Sequence, residues 1–122
     1  ILLLRFANDL EEIARVEKIF WSDLRIPGDA DTLNIELEKA LRLLDFIEIG
    51  KLMAYDALNR EESCGGHFRE EHQTEEGEAK RDDENFSYVA CWKYTGQGQE
   101  PELIKEDLNY QYIKVQQRNY KN

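Results

Sequence analysis

Residues 32–59 read TLNIELEKALRLLDFIEIGKLMAYDALN, and their apolar residues recur every three or four positions. This spacing predicts one long helix, because residues three and four apart lie on the same helical face. The apolar residues fall into two sets on different faces. The first set is Leu33, Leu37, Leu41, Leu44, Ile47, Tyr55 and Leu58, and the second is Ile35, Phe46, Ile49, Met53 and Ala57. A helix that is apolar on two faces needs packing partners on two sides.

A second helix is predicted upstream, over residues 3–24. Its apolar residues form one stripe, which consists of Leu3, Phe6, Leu10, Ile13, Phe20 and Leu24. Pro27 and Gly28 then stop this helix and turn the chain. In the segment that follows, Asp31 or Thr32 is predicted to cap the next helix. Because only one long partner helix is visible, we expect the chain to lack a surface against which the two-faced helix packs.

The second half of the chain has a different pattern. Residues 60–84 contain ten acidic and four basic residues, which is typical of a solvated loop that is open to disorder. The apolar period then changes to two, and this predicts a strand with an aromatic face formed by Phe86, Tyr88, Ala90, Trp92 and Tyr94. Residues 95–99 predict a turn, residues 102–108 a partner strand, and the remaining tail an extended segment.

The predicted fold class is therefore mainly α. An incomplete, spectrin-like three-helix bundle occupies residues 1–60. A charged loop, a small β-hairpin and an extended tail follow in residues 61–122, and the two parts are expected to pack as one domain.

Composition excludes some classes of partner. The 122 residues carry a formal net charge of -10, so the surface repels nucleic-acid phosphates and anionic lipid. No apolar run approaches the roughly 20 residues that span a bilayer, and we predict no direct membrane insertion. The two cysteines, Cys64 and Cys91, are too few for a disulfide scaffold and are predicted to be free thiols.

Three kinds of chemistry were weighed for residues 60–84. Cys64, His67 and His72, together with Cys91, are candidate zinc ligands, but zinc sites usually take a tight ligand pair at each end of a loop. A Cys64 nucleophile is disfavoured because neighbouring glutamates raise the pKa of a thiol. Adjacent acids more often form a solvated surface than a general acid-base pair. We therefore predict no catalytic, cofactor-binding or metal-binding residue in this chain.

The arginines of this segment suggest a structural role instead. A guanidinium group presents a rigid fork of donors that suits ties to carboxylates and carbonyls. We expect Arg60, Arg69 and Arg81 to pair with acids of their own segment, or with acids and carbonyls of a neighbouring domain. The candidate interdomain structural residues are Arg60, Glu62, Ser63, Gly65, Gly66, His67, Arg69, Glu70, Arg81, Asp82 and Asp83.

The same segment resembles a known family. Residues 60–71 read REESCGGHFREE and residues 81–86 read RDDENF. This order resembles the C-terminal signature of succinate dehydrogenase and fumarate reductase flavoproteins, which typically reads ESRGAHxRxD and then RDDxx followed by Trp or Phe. Residues 17–24, 27–28 and 117–120 are also similar to the family, so the resemblance covers nearly the whole chain. Cys64 stands where the family usually has arginine, and Gly66 where it usually has alanine.

The resemblance implies a helical C-terminal domain appended to a flavin-binding domain and a mobile capping domain. Complete subunits of the family carry covalent FAD and interconvert succinate and fumarate. They pass electrons to an iron-sulfur subunit and then to a membrane anchor, which implies a cytoplasmic location peripheral to the inner membrane. The resemblance implies that this chain alone is inactive, binds no cofactor and buttresses the flavin-binding domain. Two alternatives are a free-standing acidic protein-interaction module and the C-terminal domain of an L-aspartate oxidase.

Overall fold

The computed structural model describes residues 2–29, 31–96 and 98–116, with side chains from residue 7 onwards. These residues form two compact units, one from Leu3 to Leu58 and the other from Asn59 onwards. The helices are α1 (Leu2–Asp23), α2 (Ile35–Asn59) and α3 (Asp83–Phe86), and the strands are β1 (Tyr88–Lys93) and β2 (Glu102–Asp107). The predicted fold class, mainly helical with a small C-terminal hairpin, is confirmed. The predictions that involve Ile1, Ala30, Gln97 and residues 117–120 lie outside the described residues.

From residue 7 onwards, helix α1 has the single apolar stripe that its sequence predicts; the side chains of Leu3 and Phe6 lie outside the described part of the chain. Its half-buried side chains recur at three- and four-residue steps and are Ala7, Leu10, Ile13, Glu17 and Phe20. Leu24, which was predicted to extend this stripe, follows the end of the helix and is exposed. One ion pair joins the two long helices, since Lys51 Nζ of α2 lies 3.8 Å from Glu17 Oε2 of α1.

Helix α2 is covered on one side only. Its half-buried apolar side chains include Ala40, Leu44, Ile47, Ala54 and Leu58, which recur along one face, and no residue of this helix is fully buried. The second apolar face remains open, and its largest members expose more than half of their surface: Phe46 62%, Ile49 55% and Met53 68%. The two predicted sets do not coincide fully with the covered and open faces, since Leu33, Leu37 and Leu41 of the first set are exposed and Ala57 of the second is half-buried.

The predicted cap of α2 was wrong. Asn34, rather than Asp31 or Thr32, caps this helix, because its Oδ1 accepts hydrogen bonds from the amides of Glu36 and Leu37, each at 3.1 Å. Asn34 also donates from Nδ2 to the Pro27 carbonyl at 3.0 Å. Asp31 and Thr32 instead donate their amides to Asp29 Oδ1. One side chain therefore both starts the helix and fixes the loop before it.

Residues 60–84 form a loop, as predicted, and hydrogen bonds define its backbone. Two isolated bridges close it, one between Cys64 and His67 and one between Gln73 and Ala79. The Ser63 amide donates to the Lys80 carbonyl at 3.0 Å, which brings the two ends of the loop together. The loop leads into α3, which the sequence pattern missed. Phe86, which was predicted to begin the strand, is the last residue of this helix.

The hairpin confirms the predicted period of two. Strands β1 and β2 pair antiparallel, from Tyr88 opposite Asp107 to Lys93 opposite Glu102. Tyr88, Ala90 and Trp92 lie on the covered face of β1, whereas the residues between them are exposed. The chain from residue 109 to residue 116 has neither helix nor strand. Among the described residues, no helix combines the length and the apolar character that crossing a membrane requires.

The cap assignment predicts a specific loss of stability. Replacing Asn34→Ala removes both amide acceptors and the bond to Pro27, and we expect it to lower the free energy of unfolding by about 1 kcal/mol. Asp31→Ala is the matched control and is expected to change it by less than about 0.5 kcal/mol. Urea unfolding followed by circular dichroism measures both variants. A larger loss for Asp31→Ala than for Asn34→Ala would refute the assignment.

Candidate functional site

The arginines of residues 60–84, which we call the arginine loop, all pair with the acid two positions ahead. The pairs are Arg60–Glu62, Arg69–Glu71 and Arg81–Asp83. The spacing is shared although the backbone differs: Glu70 and Glu71 lie in a turn that the His72 amide closes on the Arg69 carbonyl at 2.9 Å, and Asp83 is the first residue of α3. Of the two expectations for these arginines, the structure shows the first, with partners in their own segment.

Glu62 links the start of the arginine loop to its end. Its side chain is almost fully buried, with 2% of the residue exposed. Oε1 accepts from Arg60 Nη1 at 2.6 Å, and Oε2 accepts from the Asp82 amide at 3.0 Å. A buried carboxylate is tolerated when both of its oxygens have donors. Glu62 therefore fixes the distance between two segments that are twenty residues apart in sequence.

Arg60 extends this link to the first strand. Its Nη1 also donates to the Phe86 carbonyl at 3.2 Å, and its Nη2 donates to the Tyr88 carbonyl at 3.3 Å. The guanidinium carbon lies 5.2 Å from the centre of the Tyr88 ring and 5.8 Å from that of Phe86. These distances are within the range of cation–π attraction. Among the described residues, Tyr88 is the apolar residue classed as buried, so Arg60 is anchored beside the apolar centre of this unit.

Ser63 and Arg69 form a second buried contact. Ser63 Oγ accepts from the Arg69 amide at 2.7 Å and donates to the Arg69 carbonyl at 3.1 Å. Neither residue is appreciably exposed, with 0% for Ser63 and 2% for Arg69. The hydroxyl thus satisfies both backbone groups of one residue inside the loop, as buried backbone polar groups require.

Two side chains converge on the backbone carbonyl of Arg60. His67 Nε2 lies 2.9 Å from this oxygen, and Arg69 Nη1 donates to it at 3.1 Å. A carbonyl oxygen only accepts hydrogen bonds, so His67 Nε2 carries a proton in this arrangement. The imidazole is therefore held as a structural donor.

A tight turn places His67 in this position. The amides and carbonyls of Cys64 and His67 exchange hydrogen bonds, at 2.8 and 3.1 Å. Gly65, inside the turn, has a φ of 59°, in the left-handed region that glycine enters without a steric penalty. Gly66 completes the turn and is exposed. The two glycines thus serve the backbone geometry of the loop.

Arg81, Asp82 and Asp83 form the far end of the loop. Asp83 Oδ1 accepts from Arg81, and this bond raises the pKa of the Arg81 guanidinium above its ordinary value. Arg81 Nη1 also donates to the Gln116 carbonyl at 3.2 Å. Asp82 caps α3, because its side chain accepts from the Asn85 amide. Each of the three residues is thus committed to a backbone or ion-pair contact.

Two clefts flank these contacts. A cleft of about 400 Å³ is lined by Arg60, Glu62, Cys64, Arg81 and residues near the end of the described chain. The second, of about 510 Å³, includes Glu61, His72 and Lys80. Among the described residues, no three His, Cys, Asp or Glu side chains lie close enough together to hold a metal ion. Glu70 is exposed, and its carbonyl accepts from Gln73 Nε2 at 2.7 Å.

Among the acids of this site, Glu71 has a pKa that is lowered from its ordinary value. Its own backbone amide and then the Arg69 guanidinium hold the pKa of Glu71 below its ordinary value. Arg69 donates to Glu71 Oε1 from Nε at 2.7 Å. Ion pairs and buried hydrogen bonds of this kind fix the geometry of the loop. The charged groups of these ion pairs therefore have their partners within the loop.

Sequence reasoning had not included Glu71 among the site residues, nor the backbone partners of Arg60. A signal for Glu71 exists in the sequence, because each of the three arginines is followed directly by two acids. The second acid of each doublet is the one that pairs. The contacts of Arg60 with the carbonyls of Phe86 and Tyr88 have no sequence signal, since backbone carbonyls are present at every position.

Comparison with known proteins gives one match. The sequence model of the family described as fumarate reductase flavoprotein C-term matches residues 5–120. No curated protein matches the chain, and no solved structure does. The match includes the whole arginine loop and both strands.

The displaced pKa of Glu71 predicts a pH dependence of stability. Its folded pKa lies below the ordinary value of 4.5, so the ionised carboxylate stabilises the fold. This contribution is complete above pH 4.5 and is lost as pH falls through the lowered folded pKa. We expect Glu71→Gln to be less stable than the wild type at neutral pH, and the difference to shrink near pH 3, roughly one unit or more below the ordinary value. Urea midpoints at the two pH values measure it, and a difference that stays constant or grows in acid contradicts the pairing.

Proposed function

Since this chain belongs to the family of fumarate reductase flavoprotein C-terminal domains, we propose that it is a non-catalytic domain that buttresses the flavin-binding domain of a succinate dehydrogenase or fumarate reductase flavoprotein. The arginine loop gives this domain a fixed shape. In the parent subunit, the loop and the open face of α2 supply surface against which other parts of the protein pack.

The observation that carries the proposal is the set of internal partners in the arginine loop. A residue that binds substrate or transfers a proton has to exchange its partner during the reaction. Glu62, Ser63 and Arg69 are buried and already hold the backbone of their own loop. Such contacts suit a scaffold that keeps its geometry.

The open face of α2 supports an attachment to a larger body. Phe46, Ile49 and Met53 lie on one face of this helix and are largely exposed. Large exposed apolar patches mark interaction surfaces, because leaving them in water forfeits the favourable free energy of apolar burial. We propose that the remainder of the flavoprotein covers this face.

FAD, in this proposal, is bound elsewhere in the parent subunit. Gly65 and Gly66 lie in the tight turn between Cys64 and His67, whereas a dinucleotide site places its glycines between a strand and the start of a helix. This turn therefore does not have the glycine arrangement that holds the phosphates of a dinucleotide. The parent subunit would interconvert succinate and fumarate and pass electrons to an iron-sulfur subunit and a membrane anchor. It would lie at the cytoplasmic side of the inner membrane through those partners.

Phe68 offers a test that leaves the arginine loop intact. It lies between His67 and Arg69, both of which hold the loop together, but its own ring is 40% exposed. If the loop buttresses the flavin-binding domain, Phe68→Ser in the complete flavoprotein removes an apolar contact to that domain. We expect flavin content per subunit and succinate oxidation each to fall by about tenfold or more, because burying one such side chain is worth about 1.5–3 kcal/mol.

Glu75→Ser is the matched control for this experiment, since Glu75 is an exposed polar residue of the same loop. Flavin is measured by its absorbance after purification, and succinate oxidation with a soluble electron acceptor. The control is expected to match the wild type in both assays. Wild-type flavin content and turnover in Phe68→Ser would contradict the buttressing role.

A further inference from the structure

Residues 109–116, which we call the strap, follow β2 and return toward the arginine loop. The chain leaves the hairpin where the Leu108 amide donates to the Ser87 carbonyl at 3.0 Å. It has no helix or strand from there to residue 116. At its end the Gln116 carbonyl lies 3.2 Å from Arg81 Nη1. The strap thus connects the end of the hairpin to a residue 35 positions earlier in the sequence.

The strap forms one side of the cleft of about 400 Å³. Tyr110 and Ile113 contribute to this side, and Cys64 and Tyr88 lie in the same cleft on the body of the unit. The strap is only partly covered: Tyr112 is 89% exposed and Ile113 68%, whereas Tyr110 and Val115 are 45% and 39% exposed. Apolar burial therefore holds only part of the strap, and the hydrogen bond from Arg81 to the Gln116 carbonyl adds to it.

Arg81 has the geometry of a latch. Its Nε and Nη2 bind the Asp83 carboxylate, while Nη1 is directed to the strap. Because Asp83 orients the guanidinium independently of the strap, the donor keeps its position when the strap leaves. The Arg81 guanidinium, already oriented by Asp83, loses little side-chain freedom when it binds the Gln116 carbonyl again. This favours reversible closure of the strap.

We propose that the strap opens and closes over the cleft, and that Arg81 is the latch which sets how often it opens. Opening exposes Cys64 and one side of the Tyr88 ring. Closing restores the cover over the Arg60–Glu62 contact, which lies in the same cleft. This motion is a property of the unit from residue 59 onwards and is separate from any contact with a flavin-binding domain.

Two reactions measure how often the strap opens. Both are carried out on the complete protein, purified from the cells that produce it. Lys114 is exposed, and we expect a lysine-specific protease to cut after it faster when the strap is released, because the protease binds several extended residues around the cleaved bond. A small alkylating reagent reaches Cys64 faster when the cleft is open, and mass spectrometry of the Cys64 peptide gives its rate. With Arg81→Gln, we expect both rates to rise by about tenfold, which corresponds to about 1.4 kcal/mol for the latch.

Internal references lie on the hairpin. Lys105 belongs to β2, and Cys91 is an exposed thiol on β1; their cleavage and alkylation rates are expected to stay at wild-type values. Arg42→Gln, at an exposed arginine of α2 that pairs with Glu38, is the matched control and is expected to change nothing.

Asp83→Asn keeps the latch but removes the charge that orients it, and it serves as a second variant if Arg81→Gln does not fold. It is expected to raise the rates at Lys114 and Cys64 by a smaller factor. Unchanged rates at Lys114 and Cys64 in these variants would overturn the proposal. A parallel rise at Lys105 and Cys91 would overturn it as well, since it indicates general unfolding.

Discussion

The second unit depends on one buried carboxylate. Glu62 accepts a hydrogen bond from Arg60 at the beginning of the arginine loop and another from the Asp82 amide at its end. Through Arg60 the same carboxylate is connected to the carbonyls of Phe86 and Tyr88, and so to the first strand. Two short strands and a four-residue helix bury little apolar surface, and the ion pair supplies the positional constraint that a larger hydrophobic core would provide elsewhere.

This constraint fixes geometry more than it adds stability. Removing a carboxylate and a guanidinium from water is unfavourable, and their mutual attraction and hydrogen bonds offset that loss. The contact between Arg60 and Glu62 therefore depends on the exact backbone geometry, because it is favourable only when every donor meets its acceptor. A loop that is built in this way keeps its form without a large core, which is what a scaffold domain in a larger flavoprotein requires.

Periodicity was sufficient to predict the two long helices and the hairpin, but not α3. The stripe of α1, the two apolar faces of α2 and the alternation in β1 follow from how side chains project from helices and strands. The cap of α2 was missed because Asp29, Asp31, Thr32 and Asn34 are all residues that favour this position. The bond from Asn34 to the Pro27 carbonyl distinguishes Asn34 from the others, and it depends on how the chain turns before the helix.

The arginine loop shows what composition cannot predict. A high density of charge favours disorder when the charges are solvated, but here each arginine is followed by two acids and pairs with the second of them. Ser63 is fully buried, although nothing in its sequence context indicates a covered position. Helix α3 has four residues, which is too few for any apolar period to be recognised.

A double-mutant cycle on Arg60 and Glu62 tests the central claim most directly. The free energy of unfolding is measured for the wild type, Arg60→Ala, Glu62→Ala and the double variant, and the same cycle on the exposed pair Arg42 and Glu38 serves as the reference. We predict a coupling of about 2 kcal/mol or more for Arg60 with Glu62, against less than about 0.5 kcal/mol for the exposed pair. A coupling for Arg60 and Glu62 no larger than that of the exposed pair would contradict the account.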